Sequence, residues 1–202
     1  MTIRTIAMLA LGAVLSIAAN PALAASRTDA ISKAAQSFLD SLDEQQRLVA
    51  AMPIDTDERA MWSNLPILMV QPAGVLIKDM TDEQQRAAHA LMRATMSSQG
   101  YAKIAGIMLL EDLLHQIEAQ DESRSGPFAD ALLASRDYGN YSLSVFGNPN
   151  DANWGWKIAG HHAAANFTIS NGRVAFTPTF LGSSPMEVES GRYAGLMVLA
   201  HE

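Results

Sequence analysis

The sequence contains no cysteine, few aromatic residues and no cluster of positive charge. Aromatic residues make up 6% of the 202 residues, the net charge is −7, and every lysine and arginine stands alone in the sequence. Without cysteine there is no disulfide framework, so the fold must be stabilised by burial of apolar side chains. Nucleic-acid binding is excluded as a predicted function, because it requires a basic patch that neutralises phosphates.

Short catalytic motifs are also missing. The sequence has no G-x-S-x-G, no H-E-x-x-H, no phosphate-binding loop and no dinucleotide fingerprint. Each of these motifs supplies a specific piece of chemistry, such as a nucleophilic serine or a helix-borne zinc site. The common hydrolase and nucleotide-binding classes are therefore not indicated by motif.

The N-terminal segment has the pattern of a cleavable export signal. Arg4 provides the positive start, residues 5–19 are largely apolar, and Ala22-Leu23-Ala24 has the A-x-A form of a cleavage site. The apolar run is shorter than the roughly 18–20 residues of a membrane-spanning helix. We therefore predict a signal peptide over residues 1–24, a mature chain without a transmembrane segment, and a periplasmic or secreted location.

Apolar spacing predicts helices in the first part of the mature chain. Residues three and four apart form two stripes: Ile31, Ala34, Ala35, Phe38 and Leu42, and then Ala88, Leu91, Met92 and Met96. Helix starts of capping-box form are predicted at Ser41 and Thr81. They precede the similar segments 43–47 and 82–86, which we interpret as two similar helix N-termini and not as a repeat array. A further helix is predicted from Tyr101 to about Gln120.

Strands are predicted after Asp137. Asn171-Gly172 indicates a two-residue hairpin turn, because both residues tolerate the positive φ that a type I′ turn needs. This turn sets Ser170 opposite Arg173, Thr168 opposite Ala175, Asn166 opposite Thr177 and Ala164 opposite Thr179. The sequence thus predicts one α+β domain over residues 25–202. A helical layer over about 26–136 packs on an antiparallel sheet over about 138–182.

The adjacent pair His161 and His162 is the first candidate site. Successive side chains of a regular strand point to opposite faces, so the two rings are expected to lie on opposite sides of the sheet and not to share a metal ion. A β-bulge at Gly160 or between the histidines is the exception. His161 is expected on the core side. The polar face of His162 is expected to carry the ligand-binding candidates Trp154, Trp156, Asn166, Thr177 and Thr179.

Glu111 and His115 form the second candidate site. They are four residues apart on a predicted helix and therefore share one face. A carboxylate and an imidazole at this spacing are able to ligate a metal or act as an acid–base pair. An ordinary ion pair on a solvated helix explains the same spacing.

Long segments of the chain resemble a bacterial and fungal family known as domain of unknown function 3500. They include "DERAMWSNLP", "RDYGNYSLSVFGNPN", "WGWKIAGHHAAANFTISNGRVAFTPTFLGSSP" and "GRYAGLMVLAHE". The resemblance implies export and an α+β domain but no reaction, and by motif position it singles out Glu111, Trp154, Trp156, His161, His162 and Asn166. This chain has Ala164 where relatives generally have serine. It ends at Glu202 where relatives usually continue, so we expect a C-terminally short member.

Three functions remain open from the sequence. The first is an exported metal-dependent hydrolase in which Glu111 and His162 act as catalytic groups, and Glu111, His115, His161 and His162 are candidate ligands of a divalent metal. The second is a non-catalytic periplasmic module that binds a small sugar-like or aromatic ligand. The third is a structural or assembly protein. The sequence leaves the oligomeric state open.

Overall fold

The computed structural model describes residues 21–199. The predicted signal peptide, except for residues 21–24, lies outside the described residues. Within the described range, no helix combines the length and the hydropathy that crossing a membrane would need. The predicted α+β class is confirmed, because helices occupy the N-terminal part and a mostly antiparallel sheet the C-terminal part.

Five helices precede the main strands of the sheet. They are α1 (Pro21–Ser41), α2 (Glu44–Ala50), α3 (Asp82–Thr95), α4 (Ser98–Glu118) and α5 (Pro127–Ala134). Two short 3-10 turns, Asp57–Arg59 and Ile77–Asp79, lie in the irregular region between α2 and α3. This region contains Pro53, Pro66 and Pro72, which prevent a continuous helix there.

The sheet has six strands. They are β1 (Ala51–Met52), β2 (Val75–Leu76), β3 (Ser142–Phe146), β4 (Asn153–Gly160), β5 (Ala163–Ser170) and β6 (Arg173–Leu181). Strands β3 to β6 are antiparallel neighbours in chain order. Along β3, β1 pairs in parallel with one half and β2 pairs antiparallel with the other. β2 lies in the proline-containing segment 57–80, for which the sequence predicts an irregular or short-strand crossing, whereas β1 lies in the part that is predicted as helical.

One face of the sheet packs against the helices and forms the core. Both predicted apolar stripes contribute to it: Ile31, Ala35, Phe38, Ala88, Leu91 and Met92 are all fully buried. The sheet contributes the largest buried side chains, Trp154 and Trp156, and the Trp156 ring stacks on Phe167 with 4.5 Å between centroids. In the absence of disulfides, this burial is the main stabilising contribution.

The N-cap of α2 lies two residues after the predicted position, Ser41. Asp43, and not Ser41, is the N-cap of α2, and its side chain accepts a hydrogen bond from the backbone of Gln46. Thr81 caps α3 as predicted, with Gln84 completing the box. The two box glutamines also bind each other, because Gln84 Nε2 donates to Gln46 Oε1 over 2.7 Å. The similar segments at 43–47 and 82–86 therefore join two helix N-termini.

The predicted register of β5 and β6 holds near the turn and fails beyond it. Asn171 and Gly172 have φ of 48° and 75°, and Ser170 pairs with Arg173. Beyond a bulge the pairs shift, so that Ala164 faces Phe180 and not Thr179. The bulge places Thr177 and Pro178 opposite the single residue Asn166. Pro178 has no backbone N–H that could join the hydrogen-bond ladder of the sheet. The register predicted from the turn alone did not take this proline or the bulge beside it into account.

Two apolar side chains of β6 lie largely outside the core. Val174 is 37% exposed and Phe176 is 48% exposed, although Phe176 stacks on Phe167. β6 ends the sheet path, so its side chains have a neighbouring strand on one side only. This edge position leaves the two side chains partly open to solvent.

The second face of the sheet is covered by the irregular segment 53–74. Lys157 Nζ donates to the backbone carbonyl oxygens of Glu58 (2.8 Å) and Met61 (2.7 Å). The hydroxyls of Ser142 and Ser144 both donate to the carbonyl oxygen of Ala73. The buried polar residues of this face thus satisfy backbone groups of a segment that has almost no ladder of its own.

A cluster of aromatic rings joins α3, α4 and the segment before β3. Tyr101 Oη lies 3.1 Å from His89 Nδ1, and Tyr138 Oη lies 2.8 Å from His89 Nε2. The backbone N–H of Tyr138 donates to Asp112 Oδ1 over 2.8 Å. Both ring nitrogens of His89 therefore have partners, and burial, with Arg93 nearby, lowers the pKa of His89 below 6.5.

Candidate functional site

His161 and His162 form the two-residue turn between β4 and β5. Gly160 pairs with Ala163, so neither histidine belongs to a strand. Their rings lie 3.6 Å apart between centroids, with 33° between their planes. The expectation that they point to opposite sides of the sheet is therefore wrong, because the period of two applies within strands and not at turns.

The backbone of this turn is held by three other segments. His162 has a positive φ of 63°, a conformation that histidine adopts more often than most residues with side chains. Its N–H donates to the Asn64 carbonyl (3.1 Å), and its own carbonyl accepts from the N–H of Gly182 (2.7 Å). The hydroxyl of Tyr141 donates to the His161 carbonyl. These contacts fix the turn from two neighbouring loops and from the start of β3.

Glu111 of α4 reaches the turn from the helical layer. Its side chain is 2% exposed. Its Oε1 lies 2.5 Å from His161 Nδ1 and 3.9 Å from His162 Nδ1. Its Oε2 is buried and makes no hydrogen bond in the described part of the chain. The guanidinium NH1 of Arg136 forms an ion pair with Oε2 at 3.6 Å, which is too long for a hydrogen bond. Because a buried carboxylate oxygen without a donor is costly, a closer donor or a cation is favoured there.

The side chains of Glu111, His161 and His162 converge on one point. Each offers a ligand atom, and the three atoms lie within 4.8 Å of one another. Ligand atoms around a tetrahedral zinc ion lie about 3.4 Å apart, given metal–ligand distances near 2.1 Å. Two imidazoles and one carboxylate are a ligand set that suits first-row transition metals.

The environment keeps His162 uncharged. Burial, followed by the nearby His161 and Arg136, lowers the pKa of His162 from 6.5 to about 4. A neutral imidazole has a free lone pair on one ring nitrogen, which is the form that binds metals. Among the described residues, His162 has no hydrogen-bond partner on its ring, and its side chain is 23% exposed. It is thus the member of the group most open to solvent.

Two residues that the sequence did not single out complete the site. Arg136, between α5 and β3, places its NH1 2.8 Å from His161 Nδ1 and 3.6 Å from Glu111 Oε2. Tyr141 is fully buried, and burial together with Glu111 raises its pKa well above 10. Both lie in the quoted segment "RDYGNYSLSVFGNPN", but a single arginine in a loop has no periodicity that could reveal its partner.

His115 does not join this group. Its Nδ1 lies 3.0 Å from the carbonyl oxygen of Leu133, at the end of α5. The spacing of four residues does place Glu111 and His115 on adjacent turns of α4. The ring of His115 hydrogen-bonds to α5, however, whereas Glu111 faces the β4–β5 turn, so the proposed shared ligation by this pair is wrong.

The ligand-binding candidates come together only in part. Trp154 and Trp156 pair with Ile169 and Phe167 and are buried in the core, so their predicted position on a polar face is wrong. A cavity of about 410 Å³ beside the segment 53–74 is nevertheless lined by Trp156, Asn166 and Thr177, together with Asp57, Arg59 and Thr168. Thr179 is exposed on β6 and does not line this cavity.

Comparison with known proteins gives one match. A family model described as "Protein of unknown function (DUF3500)" matches residues 24–202. Searches of curated proteins and of solved structures found no significant match. The matched range includes α1 from residue 24 onward, all later elements to β6, the β4–β5 turn and every residue of the Glu111, His161 and His162 group. The chain belongs to the DUF3500 family.

Proposed function

We propose that this chain is an exported metal-dependent hydrolase with Glu111, His161 and His162 as its metal ligands. The observation that carries the proposal is the convergence of three ligand atoms beside a buried carboxylate oxygen that lacks a donor. Three protein ligands leave at least one coordination position open, which is typical of catalytic and not of structural zinc sites. A divalent metal held by these residues would supply a Lewis acid that lowers the pKa of water toward neutral, which is the chemistry that hydrolysis requires.

The surrounding residues support this role by fixing the ligands. Tyr141 and the Asn64 carbonyl hold the turn that presents the two imidazoles, and α4 presents the carboxylate from the opposite side. His162 stays neutral down to a pH of about 4, so its lone pair is available at neutral pH. Glu111 also remains close enough to His161 to orient its ring, a role that carboxylates commonly have beside metal-binding histidines.

Metal binding by the purified mature chain tests the proposal directly. We expect about one equivalent of zinc per chain after dialysis, and a rise in melting temperature when zinc is added to the metal-free protein. Glu111→Gln should abolish both effects, because it removes the charged ligand while keeping the side-chain shape. His115→Gln, one turn further along α4, is the matched control and should bind zinc as the wild type does.

The outcome that contradicts the proposal is equally clear. A wild-type chain that takes up no zinc, cobalt or manganese and shows no thermal shift with any of them would rule out the metal site. If Glu111→Gln retained the metal and His115→Gln lost it, the ligand assignment would be wrong. Hydrolysis of nitrophenyl esters and phosphates, lost with chelator and restored by zinc, would then identify the reaction.

Export is part of the proposal. The pattern of Arg4, the apolar residues 5–19 and Ala22-Leu23-Ala24 supports it, and the family match begins at residue 24, beside the expected cleavage point. Expression of the full chain followed by periplasmic extraction tests it. We expect a mature protein whose intact mass corresponds to a start at Ala25, and an uncleaved cytoplasmic product would contradict the prediction.

A second candidate function is binding of a small polar ligand without chemistry. The cavity of about 410 Å³ beside Asn166 and Thr177 favours it, because small-molecule sites are concave and have a few fixed polar groups. Saturation-transfer NMR with monosaccharides tests this function. Binding should survive chelator and be lost in Asn166→Ala but not in Thr179→Ala, the matched control outside the cavity.

A further inference from the structure

We propose that Arg136 makes this site selective for substrates that carry an anionic oxygen group, a carboxylate or a phosphoryl group, next to the bond that is hydrolysed. This inference rests on the proposed metal function and identifies its substrate class. The guanidinium of Arg136 would bind the anionic oxygen directly through NH1. Glu118 acts as a positioning residue behind it.

The guanidinium is held in one orientation by Glu118. Arg136 Nε lies 3.1 Å from Glu118 Oε2, and NH2 lies 3.4 Å from Glu118 Oε1. On its solvent side, Glu118 Oε1 also forms an exposed ion pair with Arg124, whose NH1 lies 2.6 Å away. The side chain of Arg136 is only 7% exposed. Two of its three nitrogens are therefore occupied, and the third, NH1, is directed at Glu111 and His161.

The partners of NH1 cannot all be satisfied at once. His161 Nδ1 lies 2.8 Å from Arg136 NH1 and 2.5 Å from Glu111 Oε1. One ring nitrogen carries either a proton or a lone pair, so it cannot donate to an ionised carboxylate and also accept from a guanidinium. If Nδ1 donates to Glu111 and Nε2, which lies 3.4 Å from NH1, binds the metal, the ring offers Arg136 no lone pair. Among the described residues NH1 is then left with Glu111 Oε2 at 3.6 Å, which is too far for a hydrogen bond, so a further acceptor is favoured.

The charge balance of the cluster indicates that the acceptor of NH1 is an anion. Glu111, Glu118 and Asp121 carry three negative charges, and Arg124 and Arg136 carry two positive ones. A divalent metal ion would add two positive charges and leave this group with a net charge of +1, next to the buried side chains of Glu111 and Arg136. Uncompensated charge in a buried site is strongly unfavourable, so an anion would be favoured beside the metal. Arginine binds carboxylate and phosphate oxygens with short, charge-assisted hydrogen bonds.

Anion binding to the cobalt(II)-loaded protein tests this inference. After excess metal has been removed, the visible absorption of bound cobalt is followed during titration with acetate, with methylphosphonate and with imidazole at pH 8. Imidazole is the uncharged control ligand. Arg136→Gln should bind cobalt as the wild type does and bind the preferred anion at least about tenfold more weakly, the usual size of a lost charged hydrogen bond. Imidazole affinity should stay the same.

The matched control is Arg124→Gln. Arg124 also binds Glu118 but is half exposed and does not contact Glu111 or His161 in the structure. We expect its anion affinity to stay within about twofold of the wild type, as is usual for an exposed ion pair. The wild type's preference between acetate and methylphosphonate shows whether the substrate class is a carboxylate or a phosphoryl compound.

The outcomes separate this inference from the proposed function. A wild-type chain without cobalt overturns both. Normal cobalt binding together with unchanged anion affinities in Arg136→Gln overturns the substrate class alone, as does loss of cobalt in that variant, which would make Arg136 a support of the ligands. If Arg136→Gln does not fold, Arg136→Lys replaces it. Lysine keeps the charge but loses the paired contacts with Glu118, and unchanged anion affinity there also overturns the inference.

Discussion

Single residues decide whether the site assembles. His162 supplies an imidazole and also adopts a positive φ, so one position meets both a chemical and a conformational requirement. The residue types of the site were evident from the sequence, since Glu111, His161 and His162 were all candidates. Their convergence was not evident from the sequence. The alternation of a strand was assumed to continue through His161 and His162, because the turn there contains neither Asn-Gly nor Asp-Gly to mark it. Arg136 was missed, since its partners lie 18 and 25 residues away in the sequence.

A residue outside the site gives a pH-dependent prediction. Burial and Arg93 lower the pKa of His89 in the folded chain below 6.5. At pH values between this lowered pKa and 6.5, the unfolded chain binds a proton that the folded chain does not. The free energy of unfolding therefore falls as the pH drops from 6.5 toward the lowered pKa of His89. Above 6.5, His89 is neutral in both states and its two hydrogen bonds are retained in full.

His89→Gln should reveal this dependence. At pH 7.5 we expect it to lower the free energy of unfolding by about 1–2 kcal/mol, because Tyr101 and Tyr138 lose their partner. At pH 5.5 the difference from the wild type should be smaller, because protonation of His89 in the unfolded wild-type chain has removed part of its contribution to stability. Urea unfolding of the metal-free proteins at both values measures it. Equal differences at the two pH values would contradict the prediction.

At the scale of elements, the two capping boxes explain why the similar sequence segments 43–47 and 82–86 occur at two helix starts. Sequence spacing predicted α3 and its cap correctly because capping is a local interaction. It misplaced the cap of α2, where Asp43 was available two residues after Ser41. The contact between Gln46 and Gln84 joins elements 38 residues apart, and no local pattern encodes it.

A double-mutant cycle measures that contact. Gln46→Ala and Gln84→Ala should each lower the free energy of unfolding by about 1–2 kcal/mol, and their effects should fall short of additivity by about 0.5 kcal/mol or more. Gln45→Ala is the control, because Gln45 is exposed on the same helix and makes no hydrogen bond among the described residues. Strict additivity would show that the two caps act independently.

At the scale of the whole molecule, the sheet lies between helices on one face and the irregular segment 53–74 on the other. The order of helices and strands was predictable, because apolar periods of three to four and of two are distinct signals. The covering of the second face by the segment 53–74 was not predictable. Its attachment depends on Lys157, Ser142 and Ser144, which alternate with core residues and resemble an ordinary solvated face in the sequence.

Removal of the lysine anchor should release this segment while the core stays folded. Lys157→Met takes away the donor to the carbonyl oxygens of Glu58 and Met61 but keeps most of the apolar stem. We expect faster amide hydrogen exchange over residues 57–65, by about tenfold or more if about 1.4 kcal/mol of local stability is lost. Lys78→Met, at an exposed position, is the control. Unchanged exchange in Lys157→Met would contradict the anchoring role.

Pro178 has a consequence for concentrated solutions of this protein. β6 lies at the edge of the sheet, and its side chains Val174 and Phe176 are exposed. An exposed apolar edge strand is able to pair with a strand from another copy of the protein. Pro178 offers no N–H to an incoming strand, and the bulge beside it breaks the regular spacing that such a strand would need. The irregularity that shifted the register therefore also discourages self-association, which is a safeguard against fibre formation.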